Sequence, residues 1–199
     1  MQKWFLIFVA TVIGSSFSFA QNNSSKNISV CYTANEMKLY ELVTEYRKAN
    51  NLPKIPLSTS LSYVAQVHCK DLFDNKPNYG DCNQHSWSSK GKWSAVCYTA
   101  DHKQAMGMWG KPKELTSYAG YGFEIAFNVW HSDDANYTAT AYEALEGWKK
   151  SKGHNDVILN KDIWANQTWN AIGIGIYKGY ATIWFGREAD TEPMSSICK

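Results

Sequence analysis

The sequence has little excess charge of either sign. Its 199 residues contain 20 lysines and arginines against 18 aspartates and glutamates. Lys3 is the one charged side chain in residues 1–20, so the rest of the chain carries 19 basic against 18 acidic residues, a net charge of +1. Nucleic acids and other acidic polymers are bound by strongly basic surfaces. The composition therefore predicts neither kind of partner.

The sequence also lacks a convincing membrane span, which needs about 20 consecutive apolar residues. Its main apolar run, Trp4–Ile13, follows Lys3 and precedes Ser18-Phe19-Ala20, a pattern typical of a secretory signal peptide. We predict a signal peptide over residues 1–20, a polar segment over 21–34, and a secreted or periplasmic protein with no transmembrane segment in its mature chain. Retention of residues 1–20 as an uncleaved anchor is the less favoured alternative, because polar residues follow directly.

Familiar catalytic motifs are absent as well. The sequence contains no His-Glu-x-x-His zinc-protease motif, no Gly-x-Ser-x-Gly nucleophile elbow and no cysteine in an activating setting. These absences favour a binding protein over an enzyme. About 180 residues follow the predicted signal peptide, which suits one domain with a substantial core.

An odd number of cysteines is present, and all lie after the predicted signal peptide: Cys31, Cys69, Cys82, Cys97 and Cys198. Export places them in an oxidising compartment, where disulfides persist. Connectivity does not follow from sequence alone, but Cys31 and Cys198 could join the two ends of the domain, and Cys82 and Cys97 bracket one loop. Cys69 would then be a free thiol, predicted as a small buried apolar group rather than a nucleophile.

Helical periodicity is clear in three places. Asn35–Ala49 and Thr59–Phe73 have apolar residues at helical spacing, with Asn35 placed as an N-cap in the first and His68 on the packed face of the second. A third helix is expected to begin with the capping box of Thr140 and Glu143 and to end at Gly153. On its packed face, His68 is expected to be a hydrogen-bonded core or rim residue.

Strand signals concentrate near the end of the chain. Isoleucines at positions 172, 174 and 176 alternate with glycines, Lys178-Gly179 forms a two-residue turn, and Tyr180–Phe185 returns. A further strand is predicted within 118–128, and long loops with one short helix near 101–108 within 75–117. Outer helices with antiparallel strands between them predict an α+β fold, a three-layer α-β-α sandwich with a central antiparallel sheet.

Several motifs resemble those of the CAP superfamily of secreted proteins, which includes cysteine-rich secretory, antigen-5-like and pathogenesis-related proteins. The motifs run in the family's order and suggest a bacterial-type CAP domain over 35–187 with a C-terminal tail over 188–199. They are Glu45–Leu52 with Leu57, Ser58, Leu61 and Ala65, then His85-Ser86, Gly122–Ala126, Trp148–His154 and Ile172–Gly175.

The resemblance implies a cleft lined by two histidines and two acidic residues, which in some members hold a divalent metal. By position, His85 and His154 match the histidines and Glu124 matches the first acid. Ser151 stands where many eukaryotic members have the second acid, so Glu146 on the same predicted helix is the candidate for that role. The implied metal ligands are His85 and His154, with zinc or another divalent cation as cofactor.

The resemblance thus implies a secreted binding protein for an extracellular lipid or sterol, glycan or protein. Tryptophans in or near the predicted loops would suit stacking against such a ligand, or would simply pack those loops. They are Trp87, Trp93, Trp109 and Trp130. The alternative is a metal-dependent secreted hydrolase resembling a protease or a glycosidase. His102 and His131 match no family position and are expected to be ordinary loop histidines.

Overall fold

The computed structural model describes residues 28–134 and 137–199. The predicted signal peptide, residues 1–20, lies outside these ranges and stays a prediction, as do the boundaries at 35, 187 and 188. The elements follow in the order α1 (Ala34–Ala49), α2 (Thr59–Asn75), α3 (Ala105–Trp109), α4 (Lys111–Leu115), β1 (Gly122–Asn128), α5 (Ala141–Lys150), α6 (Lys152–Ile158), a 3₁₀ turn (Asp162–Trp164), β2 (Ala171–Tyr177) and β3 (Tyr180–Gly186).

The three strands form one antiparallel sheet in the order β1-β3-β2. β2 and β3 are the predicted hairpin, and Tyr177 pairs with Tyr180 across the two-residue turn. Successive side chains of a strand point to opposite faces. On β3, Ile183 and Phe185 therefore join the core beneath α1 and α5, while Trp184 joins the core beneath α2. The predicted three-layer α-β-α sandwich is confirmed.

Glycines on β2 set how closely α2 approaches the sheet. A Cβ atom added at Gly173 would lie 2.1 Å from the backbone carbon of Leu61, and one at Gly175 would lie 2.3 Å from that of Ala65. Any side chain at these positions would displace the helix. The alternation of Ile and Gly along β2 therefore has a role on each face of the sheet. The isoleucines pack into the core on one face, and the glycines allow α2 to lie close to the other.

Two helix boundaries differ from the sequence-based expectation. Thr33, not Asn35, is the N-cap of α1 and forms a capping box with Glu36. The Asn35 side chain instead donates to the carbonyl of Ala139 and accepts from the N–H of Ala141, at the start of α5. The capping box of Thr140 and Glu143 is confirmed. However, α5 ends at Lys150, and Gly153 lies inside the separate helix α6 rather than ending α5.

Both disulfides that the sequence suggested are present. Cys31 is bonded to Cys198, and Cys82 to Cys97. Cys69 is free and buried, as predicted. Burial raises the pKa of its thiol, which donates to the carbonyl of Gly175 at 3.3 Å. No helix within the described ranges is long and apolar enough to cross a membrane.

The predicted C-terminal tail packs against the rest of the protein. Ile197 forms a β-bridge with Tyr32, next to the disulfide between Cys31 and Cys198. The Asp190 carboxylate accepts hydrogen bonds from the Ser58 hydroxyl and from the backbone and side chain of Ser60, at the start of α2. The segment therefore stabilises the N-terminus of α2.

Candidate functional site

A buried carboxylate lies at the centre of the site. Glu124 lies on β1 between Phe123 and Ile125, whose side chains join the α1 and α5 core. Alternation along the strand therefore directs Glu124 to the other face, toward α2. There one of its oxygens lies 2.5 Å from Nδ1 of His68, and the other lies 2.8 Å from Nδ1 of His85. Its side chain is fully buried, so each oxygen takes a histidine partner in place of water.

The hydrogen bonds of His68 fix its charge. Its Nδ1 faces the Glu124 carboxylate, and its Nε2 lies 2.9 Å from the backbone carbonyl of Ser86. A carboxylate and a carbonyl only accept hydrogen bonds, so both ring nitrogens of His68 must donate. With Glu124 ionised, this arrangement is that of an imidazolium paired with a carboxylate in the core. Its ring stacks on Trp87 at 4.2 Å between centroids, which holds the plane of the imidazole.

The ionisation of Glu124 follows from these contacts. Burial by itself would raise the pKa of Glu124, but the charge of His68 and the hydrogen bonds from His68 and His85 outweigh burial and lower it to about 2. Glu124 is thus a carboxylate at neutral pH and a permanent acceptor for His85.

His85 is held by its loop as well as by Glu124. Its backbone N–H donates to the side chain of Asn83, and the loop that carries it is closed by the disulfide between Cys82 and Cys97. Because Nδ1 of His85 donates to the Glu124 carboxylate, a neutral His85 carries its lone pair on Nε2. Across the described part of the chain, no group bonds to that nitrogen. The side chain is 20% exposed, so Nε2 is a basic nitrogen available to a ligand.

His154 lies near this pair, on α6. Burial is the largest influence on its pKa and lowers it, and the electrostatic effect of His85 acts in the same direction, while Glu124 opposes both. His154 is therefore kept neutral at neutral pH, the form in which imidazole binds a metal. It lies close enough to His85 and Glu124 for both to affect its pKa.

Glu146 is placed elsewhere. Its carboxylate pairs with Lys149 at 2.7 Å on the exposed face of α5. It lies in a separate groove beside Phe127 and Tyr142. The structure thus brings His85 and Glu124 into contact with His154 nearby, and it leaves Glu146 on another surface.

A cavity of about 670 Å³ opens at His85 and Glu124. One wall is polar: the Tyr98 ring packs edge-on against His85, and its hydroxyl lies 2.9 Å from Nδ1 of His102. Burial, together with the charge of Glu124, raises the pKa of Tyr98, so its phenol keeps its proton. The other wall is aromatic and consists of Phe123 with Trp109 and Trp164. Of the tryptophans that the sequence suggested for stacking, Trp109 lines this cavity and Trp130 is exposed on another surface. Trp87 is buried, and Trp93 packs against it.

Sequence reasoning missed two residues of this site. His68 was correctly expected to be a hydrogen-bonded core residue, but its partner Glu124 was not recognised. The periodicity of α2 and the alternation of β1 place both residues between the same two layers, and a buried imidazole needs a partner there. His102 was expected to be an ordinary loop histidine and instead lines the cavity. No local pattern in the sequence marks it.

The same contacts limit how many ligands the site can offer to a metal ion. In residues 28–134 and 137–199, no group of three or more His, Cys, Asp or Glu side chains is arranged to hold a metal ion. Both oxygens of Glu124 are already engaged by histidines. The residues present therefore do not fit a closed site with four protein ligands. They fit at most two neutral imidazoles with solvent completing the coordination.

Comparisons with solved structures find similar bacterial proteins, and the first of them shares the fold. An extracellular SCP-domain protein from Bacillus anthracis matches with a TM-score of 0.51 and 23% identity, over 77% of this chain and 40% of that one. A cysteine-rich secretory protein from Staphylococcus aureus matches with a TM-score of 0.47 and 15% identity, over 77% and 38%. An outer surface protein from Borrelia burgdorferi matches with a TM-score of 0.48 and 17% identity, over 78% and 94%. The chain thus spans about two fifths of the length of the first two proteins.

A comparison with curated protein sequences gave no match. The family model of the cysteine-rich secretory proteins, named CAP, matches residues 40–184, which is more than half of the chain and includes β1, most of the hairpin, and His68, His85 and His154. This chain belongs to the CAP family.

Proposed function

We propose that this chain is an exported binding protein whose cleft uses His85 and His154 to hold a divalent cation such as zinc and, beside it, an extracellular ligand. The observation that carries the proposal is the bond from Nδ1 of His85 to Glu124, which is 2.8 Å long. That bond fixes the tautomer and orientation of the ring and leaves Nε2 for a ligand. Histidines that bind metals are commonly oriented in this way by a carboxylate.

The role of Glu124 in this proposal is to orient His85 rather than to ligate the ion. His68 supports it by neutralising the buried carboxylate, and the disulfide-closed loop holds the position of His85. His154 would supply the second imidazole in its neutral form. A bound cation would supply a positive charge in the cleft for oxygen donors of the ligand.

Export is supported by the cysteines and by the N-terminal pattern. Two disulfides occur in a domain of this size, and disulfides persist in oxidising compartments. The predicted signal peptide would direct the chain to such a compartment. Secreted or periplasmic location is therefore part of the proposal.

Zinc titration of the mature, disulfide-bonded chain by calorimetry tests the metal part. We expect saturable binding of one ion per chain, which is lost in the double variant His85→Ala, His154→Ala. The variant His131→Ala removes an imidazole that does not line this cavity and is expected to keep binding zinc. Undiminished binding in the first variant would place the ion elsewhere and contradict the proposal.

A further inference from the structure

The aromatic wall of the cleft is bordered by exposed apolar side chains. The Phe123 ring contacts the rings of Trp109 and Trp164, whose centroids are 5.2 Å and 5.3 Å away. At the rim of the same cavity, Met106 is 55% exposed and Ile163 is 77% exposed. Large apolar side chains exposed around a concave aromatic surface are typical of a site that receives an apolar ligand.

A cation lies on this wall. The guanidinium carbon of Arg187 lies 4.8 Å above the centre of the Phe123 ring and lines the cavity. The chain has two arginines, and the other, Arg47, is buried and donates to Ile158 and Asn160. Arg187, in contrast, has no carboxylate partner among the residues that the structure describes. A guanidinium stacked on a ring keeps its in-plane N–H groups free, and that fork matches a carboxylate.

The acidic residue of the cavity does not oppose an anion. Glu124 is buried, and both of its oxygens are engaged by His68 and His85. Neither oxygen is therefore presented to the cleft as a free acceptor. Arg187 is then the charged group of the cavity that an incoming anion meets.

We propose that the cleft binds a small monocarboxylate with an apolar body, with the carboxylate on Arg187 and the body against Phe123, Trp109 and Trp164. This inference rests on the proposed function in taking the cleft as a ligand-binding site, and it names the class of ligand. The cavity of about 670 Å³ lies within the range of small-molecule sites, about 300–1,000 Å³. Either a straight alkyl chain or an aromatic ring could be the apolar body of this ligand.

The test compares acids with alcohols of the same body by calorimetry on the mature, disulfide-bonded chain. Decanoate is paired with decanol and hydrocinnamate with hydrocinnamyl alcohol, in the presence of a chelator and below the micelle concentration. We expect each acid to bind about tenfold more tightly than its alcohol, because only the acid forms charge-assisted hydrogen bonds with Arg187. Comparing the affinities of decanoate and hydrocinnamate shows whether the apolar body of the ligand is alkyl or aromatic.

The variant Arg187→Gln is expected to remove the preference for the acid while still binding the alcohols. Lys54→Gln is the matched control, since Lys54 also stacks on an aromatic ring, at 5.2 Å from Tyr40, but does not line the cavity. Equal affinity for acid and alcohol in the unaltered chain would overturn the inference, as would a preference that survives Arg187→Gln.

The chelator separates this inference from the proposed function. A preference for the acid that depends on Arg187 in the absence of metal supports the inference, whatever the outcome of the zinc titration. Zinc binding without any preference for the acid supports the proposed metal site and refutes the carboxylate site.

Discussion

Replacing His68 with leucine should destabilise the protein more than a loss of packing would. Leucine has a similar volume, but it leaves the Glu124 carboxylate without its charged partner and the Ser86 carbonyl without its donor. Both side chains of the pair are fully buried. Breaking one partner of a buried ion pair typically costs about 3–5 kcal/mol, a large share of the roughly 5–15 kcal/mol that stabilises a domain.

Urea unfolding of the disulfide-bonded chain measures this loss as a lower midpoint at an unchanged slope. The double variant His68→Leu, Glu124→Leu removes both charges and should be destabilised by less than the sum of the two single variants. The effect of His68→Leu should also shrink below about pH 5, because a buried carboxyl without a cationic partner has a raised pKa and is readily protonated. A loss below about 1 kcal/mol, or additive effects of the two variants, would refute the assignment of a buried imidazolium and carboxylate.

Three further outcomes follow from the structure. Because the pKa of Glu124 is lowered to about 2, the unfolded chain binds more protons in acid, so stability should fall as pH drops from about 5 to 2. That fall, up to about 3 kcal/mol for this group, should be smaller in Glu124→Gln when unfolding is measured across the range. Gly173→Ala should lower the melting temperature sharply, because the added Cβ would lie 2.1 Å from the backbone of Leu61. Overpacking of this kind costs about 1–3 kcal/mol or more. An unchanged melting temperature would contradict the close packing of α2. Replacing Cys82 and Cys97 with serine should lower the free energy of unfolding by about 3 kcal/mol, and replacing Cys31 and Cys198 should lower it by about 5 kcal/mol. The second disulfide costs more to remove because it closes a longer loop, with 167 residues of separation against 15. Chemical denaturation that ranks the two variants the other way would contradict this reasoning.

Local signals predicted the elements that depend on local interactions. The capping box of Thr140 and Glu143 involves residues three apart, and the β2–β3 hairpin has a two-residue turn between alternating strands. Asn35 shows the limit of such signals. It has the chemistry of an N-cap, but the capping box of Thr33 and Glu36 begins the helix first. Its side chain then bonds to residues more than a hundred positions away, which no local pattern reveals.

The site depended on contacts between distant residues. The family resemblance placed His85, Glu124 and His154 in one cleft, and in the structure His85 contacts Glu124. The pairing of Glu124 with His68 joins residues 56 positions apart and depends on how α2 lies across β1. Glu146, in contrast, was expected in the cleft and lies outside it. Its angle on the helical wheel suggested the cleft, but the direction in which α5 faces the sheet, and the pairing with Lys149, put its carboxylate on another surface.

The most direct test of the account is the protonation of the histidine nitrogens, read by ¹⁵N NMR on histidine-labelled protein at neutral pH. We predict that both nitrogens of His68 carry protons and that Nδ1 of His85 carries the proton that faces Glu124, with the Nε2 signals of His85 and His154 shifting when zinc is added. A His85 ring protonated at Nε2 instead, or a zinc titration that leaves both Nε2 signals unchanged, would contradict the account.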